Sequence, residues 1–343
     1  MTDVLLVSLG GTSGLREADA ELAASIERAG ASVAVAAVPR VREWRTLAGI
    51  DLAWALSARR AASAALERGR PRAIVYSSVT AALLAPAPGA IRFDAPATGN
   101  RPGRHGIWQR PAERRRLRDA PLLVPWSEGG LAEAPTPHAE AVVVPVPVAP
   151  SGAAGARGIA AITYGAHPEK KGLDRVLAAW ASARRDGEEL VVAGLDEAGW
   201  RARRGHRGGG SATAGTGRAP AAGAGAPDGV RFAGMLARDE YRALLRRARV
   251  FVTAPRREDY GIAQLEALAD GCMLVTTPSP GPYAALPPAR ALDPRLVSTD
   301  LAAALRTALD DPIAYDAAEA IAPWRPEAVD AVVANELLPR LLA

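Results

Sequence analysis

The sequence predicts two doubly wound α/β domains, each a parallel sheet covered by helices on both faces. Three observations carry this expectation. The 343 residues exceed one ordinary core and suit two domains of roughly 100–200 residues each. Strand-like apolar runs alternate with helix-like ones from the N-terminus onward, the pattern of a parallel sheet. The alternation stops at a proline- and glycine-rich stretch near residue 150 and then restarts.

The chain opens as strand, turn and helix. Residues 4–9 are apolar, Gly10-Gly11-Thr12-Ser13-Gly14 turns, and residues 17–29 place Leu22 and Ile26 on one helical face before Gly30 ends it. Strands are predicted at 32–38, 73–76, 90–93, 122–124 and 141–144, with a helix over 53–67. In residues 144–155 prolines favour extended backbone and glycines favour mobility, which puts the domain boundary there. The expected organisation is a first domain over 1–150, a second over 151–322, and a C-terminal helix over 323–343 that returns to the first domain. Pro326 marks the start of that helix, and Val329, Val332, Val333, Leu337, Leu338 and Leu341 form its apolar stripe.

The second domain reads as strands at 158–163, 189–193, 230–233, 250–253 and 273–276, with helices over 173–184, 238–248 and 263–268. Residues 205–228 hold Gly, Ala, Ser, Thr and Arg with almost nothing large to bury, so a disordered insert is expected there.

Composition excludes several classes. The formal charge of +5 comes from arginine, since Lys170 and Lys171 are the only lysines. No arginine cluster is interleaved with stacking aromatics, so no nucleic-acid partner is expected. The single cysteine, Cys272, rules out an internal disulfide and a cysteine-based zinc site, and its apolar surroundings predict buried packing. The first residues run directly into a strand without a basic leader, and the apolar runs are short beside the roughly 20 residues a membrane span needs. A cytoplasmic protein is expected.

The most informative segment is 256–271, which follows the β-type run Val250-Phe251-Val252-Thr253 and enters an amphipathic helix. It therefore lies at the C-terminal edge of a parallel sheet, where ligands bind. Gly261 allows close backbone approach, and the amides of Tyr260, Gly261 and Ile262 can face a phosphate at the positive helix terminus. Glu258 and Glu266 bracket that anion site, and carboxylates so placed suit the hydroxyls of a sugar and a ribose. Read as ordinary structure, Glu258 caps the helix and Glu266 is a solvated helix residue.

This segment resembles the E-x7-E signature of the family 4 retaining glycosyltransferases, which have the two-domain GT-B fold: two Rossmann-like domains facing a cleft. Val230-Arg231-Phe232-Ala233-Gly234 and residues 238–247 resemble the family's approach to it. The resemblance implies sugar transfer from a nucleotide-diphosphate sugar, with Glu258 on the donor sugar and Glu266 on the ribose. It places the family's diphosphate-binding lysine at Lys171, before Gly172, while Ala166 stands where many members carry a second diphosphate-binding arginine. Lys170 or an arginine can supply the missing charge. A solvated helix start is the other reading of the two lysines.

In the first domain the resemblance puts Gly11 in a glycine loop near donor or acceptor. Asp94 falls where relatives keep a histidine near the acceptor, so it either orients or deprotonates an acceptor hydroxyl or forms a turn before Ala95-Pro96. His105 is the alternative base or a surface residue of a basic loop. No cofactor and no metal are expected: the chain has no D-x-D pair, zinc-type histidine spacing or dinucleotide fingerprint. The expected partners are a nucleotide-sugar donor and a sugar or lipid-linked acceptor. The arginine-rich stretch 101–118 adds either peripheral contact with the inner membrane surface or a solvated face. A noncatalytic sugar-nucleotide-binding protein of the same fold is the rival reading.

Overall fold

Strand β1 (Val4–Ser8) is buried on both faces. Its alternation of side chains sends Val4 and Leu6 into one apolar cluster and Leu5 and Val7 into another. The computed structural model describes residues 2–41, 46–101, 103–153, 155–207 and 226–343. Its chain divides into two units, Met1–Ala149 with Gly281–Ala284 and Ala322–Ala343, and Pro150–Pro280 with Ala285–Ile321.

The first unit has five parallel strands, β1, β2 (Val33–Ala37), β3 (Ala73–Tyr76), β4 (Ala90–Phe93) and β5 (Leu123–Pro125), in the order β2-β1-β3-β4-β5. The strand expected at 141–144 is reduced to one bridge, Leu123 to Ala141, continued by hydrogen bonds from Val142 N to Leu123 O and Val144 N to Pro125 O at 2.9 Å each. Pro145 and Pro147 have no N–H to extend the ladder.

One face of this sheet is covered by the Ser13–Arg28 helix through Leu22 and Ile26, and by the C-terminal segment through Val329, Val333 and Leu337. Each such side chain contributes about 1.5–3 kcal/mol on full burial. The Arg28 guanidinium reaches Asp330 at 2.7 Å and Ser25 Oγ donates to it at 2.5 Å. The C-terminal segment is not one regular helix. Pro326–Val332 passes through a π turn, Val333–Leu337, into Leu338–Leu342, because Pro339 cannot donate the next i→i−4 bond.

The second unit is also a five-stranded parallel sheet: β6 (Ile159–Tyr164), β7 (Leu190–Ala193), β8 (Val230–Gly234), β9 (Ala248–Thr253) and β10 (Met273–Thr276), ordered β10-β9-β6-β7-β8. Trp180, wholly buried on the Leu173–Ala183 helix, packs in the core with Leu190, Val192, Val250 and Leu305. Strand order reverses direction between β6 and β9, the place where open α/β sheets bind ligands. Cys272 is buried with its Sγ 3.1 Å from Leu245 O, and burial pushes its thiol up to about 12.

The expected disordered insert meets the structure only at its ends. The Glu197–Arg207 helix runs into its first residues, residues 226–229 turn into β8, and residues 208–225 lie outside the described residues.

Candidate active site

Two loops meet at the β6/β9 switch point. After β6 the chain passes His167, in left-handed conformation, into the single helical turn Pro168–Lys171. Gly172 follows at φ +64°, and a Cβ there would lie 1.8 Å from Ala254 O, the carbonyl that begins the loop after β9. No residue but glycine fits that approach. The loops are also tied by Arg256 N donating to Lys170 O at 3.0 Å.

The loop after β9 ends at Gly261, whose φ of +97° places it as the left-handed N-cap of the Ile262–Ala269 helix. This cap has no side-chain hydrogen bond and the first turn holds no acidic residue. The amide end of the helix therefore keeps the positive potential that attracts an anion.

Around that end the sequence-derived residues form ion pairs. Lys171 Nζ lies 2.8 Å from Glu258 Oε2 and 3.1 Å from Oε1, with the lysine 21% and the carboxylate 5% exposed. Gln264 Nε2, one turn into the helix, donates to the same Glu258 Oε2 at 2.9 Å. Gln264 Oε1 is buried with no hydrogen-bond partner among the described residues. Glu258 N donates to Pro280 O, fixing the backbone at 3.0 Å. Tyr260 is buried beside it.

Glu266 is not a solvated helix residue. Its Oε1 accepts from Arg238 at 2.8 Å and from the buried Arg242 at 3.4 Å, while Arg242 Nε donates to Asp270 at 2.6 Å. Asp259 is the third carboxylate of the site. Burial pushes its carboxyl up, but Lys170 at 2.5 Å and Arg257 at 2.9 Å outweigh this and hold it below the usual range.

The remaining sequence-derived residues lie in the first unit, at its own sheet edge. Gly11 is exposed in the loop after β1. Asp94 follows β4, half-buried, and its Oδ1 accepts from Ala95 N at 2.8 Å, the local turn contact. His105 is exposed in the Gly103–Gly106 turn. Nearby, Glu113 is buried with both oxygens on Ala97 N, at 2.8 and 3.0 Å, and burial raises its carboxyl to about 7. Under the sheet edge Arg92 is wholly buried, 3.3 Å from Asp19 and 4.9 Å above the Trp126 ring. Burial raises the Asp19 carboxyl despite that cation.

Among the described residues, no cluster of three or more His, Cys, Asp or Glu side chains could hold a metal ion, and no helix is long and apolar enough to cross a membrane.

The family model of glycosyl transferases group 1 matches residues 154–323, the segment that holds both loops of the β6/β9 site. Residues 154–323 carry a group 1 glycosyltransferase domain. Solved structures agree on its fold, the GT-B pattern of two Rossmann-like units. The UDP-forming α,α-trehalose-phosphate synthase of Burkholderia xenovorans superposes with TM-score 0.67 at 15% identity over 99% of each chain. The sucrose-phosphate synthase of Thermosynechococcus elongatus gives 0.62 at 15% over 96% of each. HepE of Anabaena, solved with UDP and glucose, gives 0.58 at 12% over 98% of this chain and 99% of its own. No curated protein matches the sequence.

Sequence reasoning on this glycosyltransferase did not select Arg238, Arg242, Gln264 or Asp259. Gln264 carried a usable signal: a polar residue among the buried positions of a short apolar helix. The two arginines carried none, since they lie 28 and 24 residues from Glu266 and only the fold brings them to it.

Proposed function

We propose that this glycosyltransferase moves a sugar from a nucleoside-diphosphate sugar to a hydroxyl acceptor, retaining anomeric configuration and without a metal ion. The observation that carries this reading is the uncapped helix end at the β6/β9 switch point, flanked by Lys171 and by two buried glutamates eight residues apart. In this reading the amides of Tyr260, Gly261 and Ile262, together with Lys171, hold the diphosphate. Glu266 takes the ribose hydroxyls. Glu258 and the unsatisfied Gln264 oxygen take hydroxyls of the donor sugar, which satisfies a buried acceptor that otherwise costs stability.

Charge on the departing diphosphate is then neutralised by lysine and backbone dipoles in place of a metal. Retention follows from the resemblance of the Glu258 to Glu266 segment to family 4. The UDP and glucose bound to HepE support the donor class. The second unit is the donor domain and the first the acceptor domain, with Asp94 as the base and His105 as its alternative.

The acceptor side includes an anionic membrane surface carrying a lipid-linked sugar. Of the arginines in 101–118, Arg101, Arg110 and Arg116 are occupied internally, by Asp51, Arg101 O and Leu83 O. Arg104, Arg114, Arg115 and Arg118 are exposed. The same unit exposes Leu52, Leu56 and Ile107, apolar groups that suit an interface flanked by arginines.

The noncatalytic reading keeps one point in its favour: Ala166 supplies no charge, and Lys171 is already paired. Thermal stabilisation by UDP-, GDP- and ADP-sugars, followed by donor hydrolysis with the sugar that binds, tests the proposal. Stabilisation without release of nucleoside diphosphate, over a range of hydroxyl acceptors, would favour the noncatalytic protein. No stabilisation by any of them would remove the donor site.

A further inference from the structure

Each sheet ends in two edge strands, and three of these edges are closed or guarded. Beyond β5, Ala141 bridges to Leu123, and Val142 N and Val144 N donate to Leu123 O and Pro125 O. Beside β10, Val297 bridges to Thr276, Ser298 N donates to Thr276 O at 3.0 Å, and Tyr315 OH accepts from Leu274 N at 3.2 Å. Strand β8 carries Arg231, ion-paired with Glu189 at 2.8 Å, a charge of the kind that discourages edge pairing. The remaining edge is β2. Its sequence, Val33-Ala34-Val35-Ala36-Ala37, holds neither charge nor proline, and Val35 is 53% exposed.

The register fixes which backbone groups this edge presents. Val4 N donates to Ser32 O at 3.0 Å and Val38 N to Ser8 O at 2.9 Å, with Leu5 opposite Ala34 and Val7 opposite Ala36. Residues of a parallel strand turn alternately toward and away from their neighbour. Ala34 and Ala36 therefore bond to β1, while Val33, Val35 and Ala37 aim N–H and C=O outward, where no hydrogen bond reaches them among the described residues. Only an extended chain can satisfy such an evenly spaced row of donors and acceptors.

We propose that β2 pairs antiparallel with β2 of a second copy about a two-fold axis at Val35, joining the two first-unit sheets. The row is self-complementary: Val35 faces its own equivalent and Val33 faces Ala37, each pair exchanging both N–H to O=C bonds. Alanines flank the central valine, so the facing side chains are small. Asp3 and Arg72, at the start of the strand, are paired with each other at 3.4 Å, and Arg28 is paired with Asp330. The same register carries Arg40 toward Gly30 of the second copy, at the carbonyl end of the Ser13–Arg28 helix, where a cation is favoured. One short strand from each copy buries less than the roughly 1,200 Å² at which stable interfaces begin, so the dimer is reversible.

Sedimentation velocity and amide hydrogen exchange on the full chain, at micromolar to submillimolar concentrations, test this. The wild type should pass from monomer to dimer as concentration rises. The amides of Val33, Val35 and Ala37 should slow about tenfold or more in step with dimer formation, while those of Ala34 and Ala36, already bonded to β1, stay constant. Val35→Lys sets like charges face to face across the axis and should remain monomeric; Val35→Thr keeps a β-branched side chain and should still dimerise. Unchanged melting of both variants separates association from folding, since Val35 is exposed. A monomer at every concentration would overturn the proposal, as would a dimer that survives Val35→Lys with the three amides unprotected, which would place the contact on another surface. Protection of the three amides independent of concentration would also overturn it, because a segment of the same chain would then be covering the edge.

Discussion

Lys171 Nζ and Glu258 Oε2 lie 2.8 Å apart, so the cation and the carboxylate assigned to opposite ends of the donor bond form one ion pair. Substitutions of the two should therefore act in opposite senses on ligand affinity. Glu258→Gln releases Lys171 and should leave nucleoside-diphosphate affinity unchanged or raise it a few-fold, while lowering turnover about 100-fold if the carboxylate acts mainly in the transition state. Lys171→Ala should weaken the diphosphate and destabilise the unit by about 1–3 kcal/mol, because Glu258 is left buried without its cation. Titration calorimetry with a donor-hydrolysis assay reads both. Parallel losses of affinity in the two variants would contradict separate roles.

Glu266 shares one oxygen, Oε1, between Arg238 and Arg242. If ribose hydroxyls meet this carboxylate, the wild type should bind a nucleoside diphosphate about tenfold more tightly than its 2′,3′-dideoxy counterpart, the worth of one charge-assisted hydrogen bond. Glu266→Gln should flatten that preference. A preference that survives the substitution would move the ribose elsewhere. The variant should also melt earlier, since the nearly buried Arg242 loses the negative charge of Glu266 beside it.

The architecture was legible because both sheets are buried on two faces. Such strands read as short apolar runs, and β3, β4 and β10 coincide with their predicted limits. Residues 141–144 misled for the same reason: Val142 and Val144 are core residues, yet prolines beyond them prevent a ladder. The uncapped, glycine-led start of the Ile262–Ala269 helix was legible through Gly261. The ion pairs were not. Lys171 and Glu258 are 87 residues apart and Arg238 and Glu266 are 28 apart, and only the strand order that makes β6 and β9 neighbours closes the first distance. Glu113 was also hidden, because a glutamate in the arginine-rich helix Gln109–Asp119 gives no sign that it points inward.

The membrane reading assigns the outward face of the Leu47–Arg68 helix, with Leu52, Leu56, Arg59 and Arg60 exposed, to the interface. Trp108 Nε1 donates to Ala48 O at 3.2 Å, which brings Ile107 to the same helix. Wild-type protein should cosediment with phosphatidylglycerol-rich vesicles and not with phosphatidylcholine ones. Leu52→Glu with Leu56→Glu should abolish this, since it removes the apolar insertion and adds like charge against the lipid. Equal binding by the double variant would return the leucines to ordinary surface residues.

Glu113 makes the first unit sensitive to pH near neutrality. Burial raises its folded-state value from 4.5 to about 7, against the pull of Ala97 N–H and Arg101. The unfolded chain therefore releases this proton near 4.5 while the folded chain keeps it. Between these values the unfolded state binds fewer protons, so stability falls as pH rises through this window. The full difference corresponds to about 3 kcal/mol, complete by roughly pH 8. Glu113→Gln keeps an oxygen for Ala97 N–H and removes the titration. Its urea midpoint should match the wild type near pH 4.5 and exceed it near pH 8, and hydrogen exchange at the Ala97 amide should slow in the same sense. Curves for wild type and variant that run parallel across this range would show that Glu113 does not titrate there, and that other groups keep its carboxylate charged inside the fold.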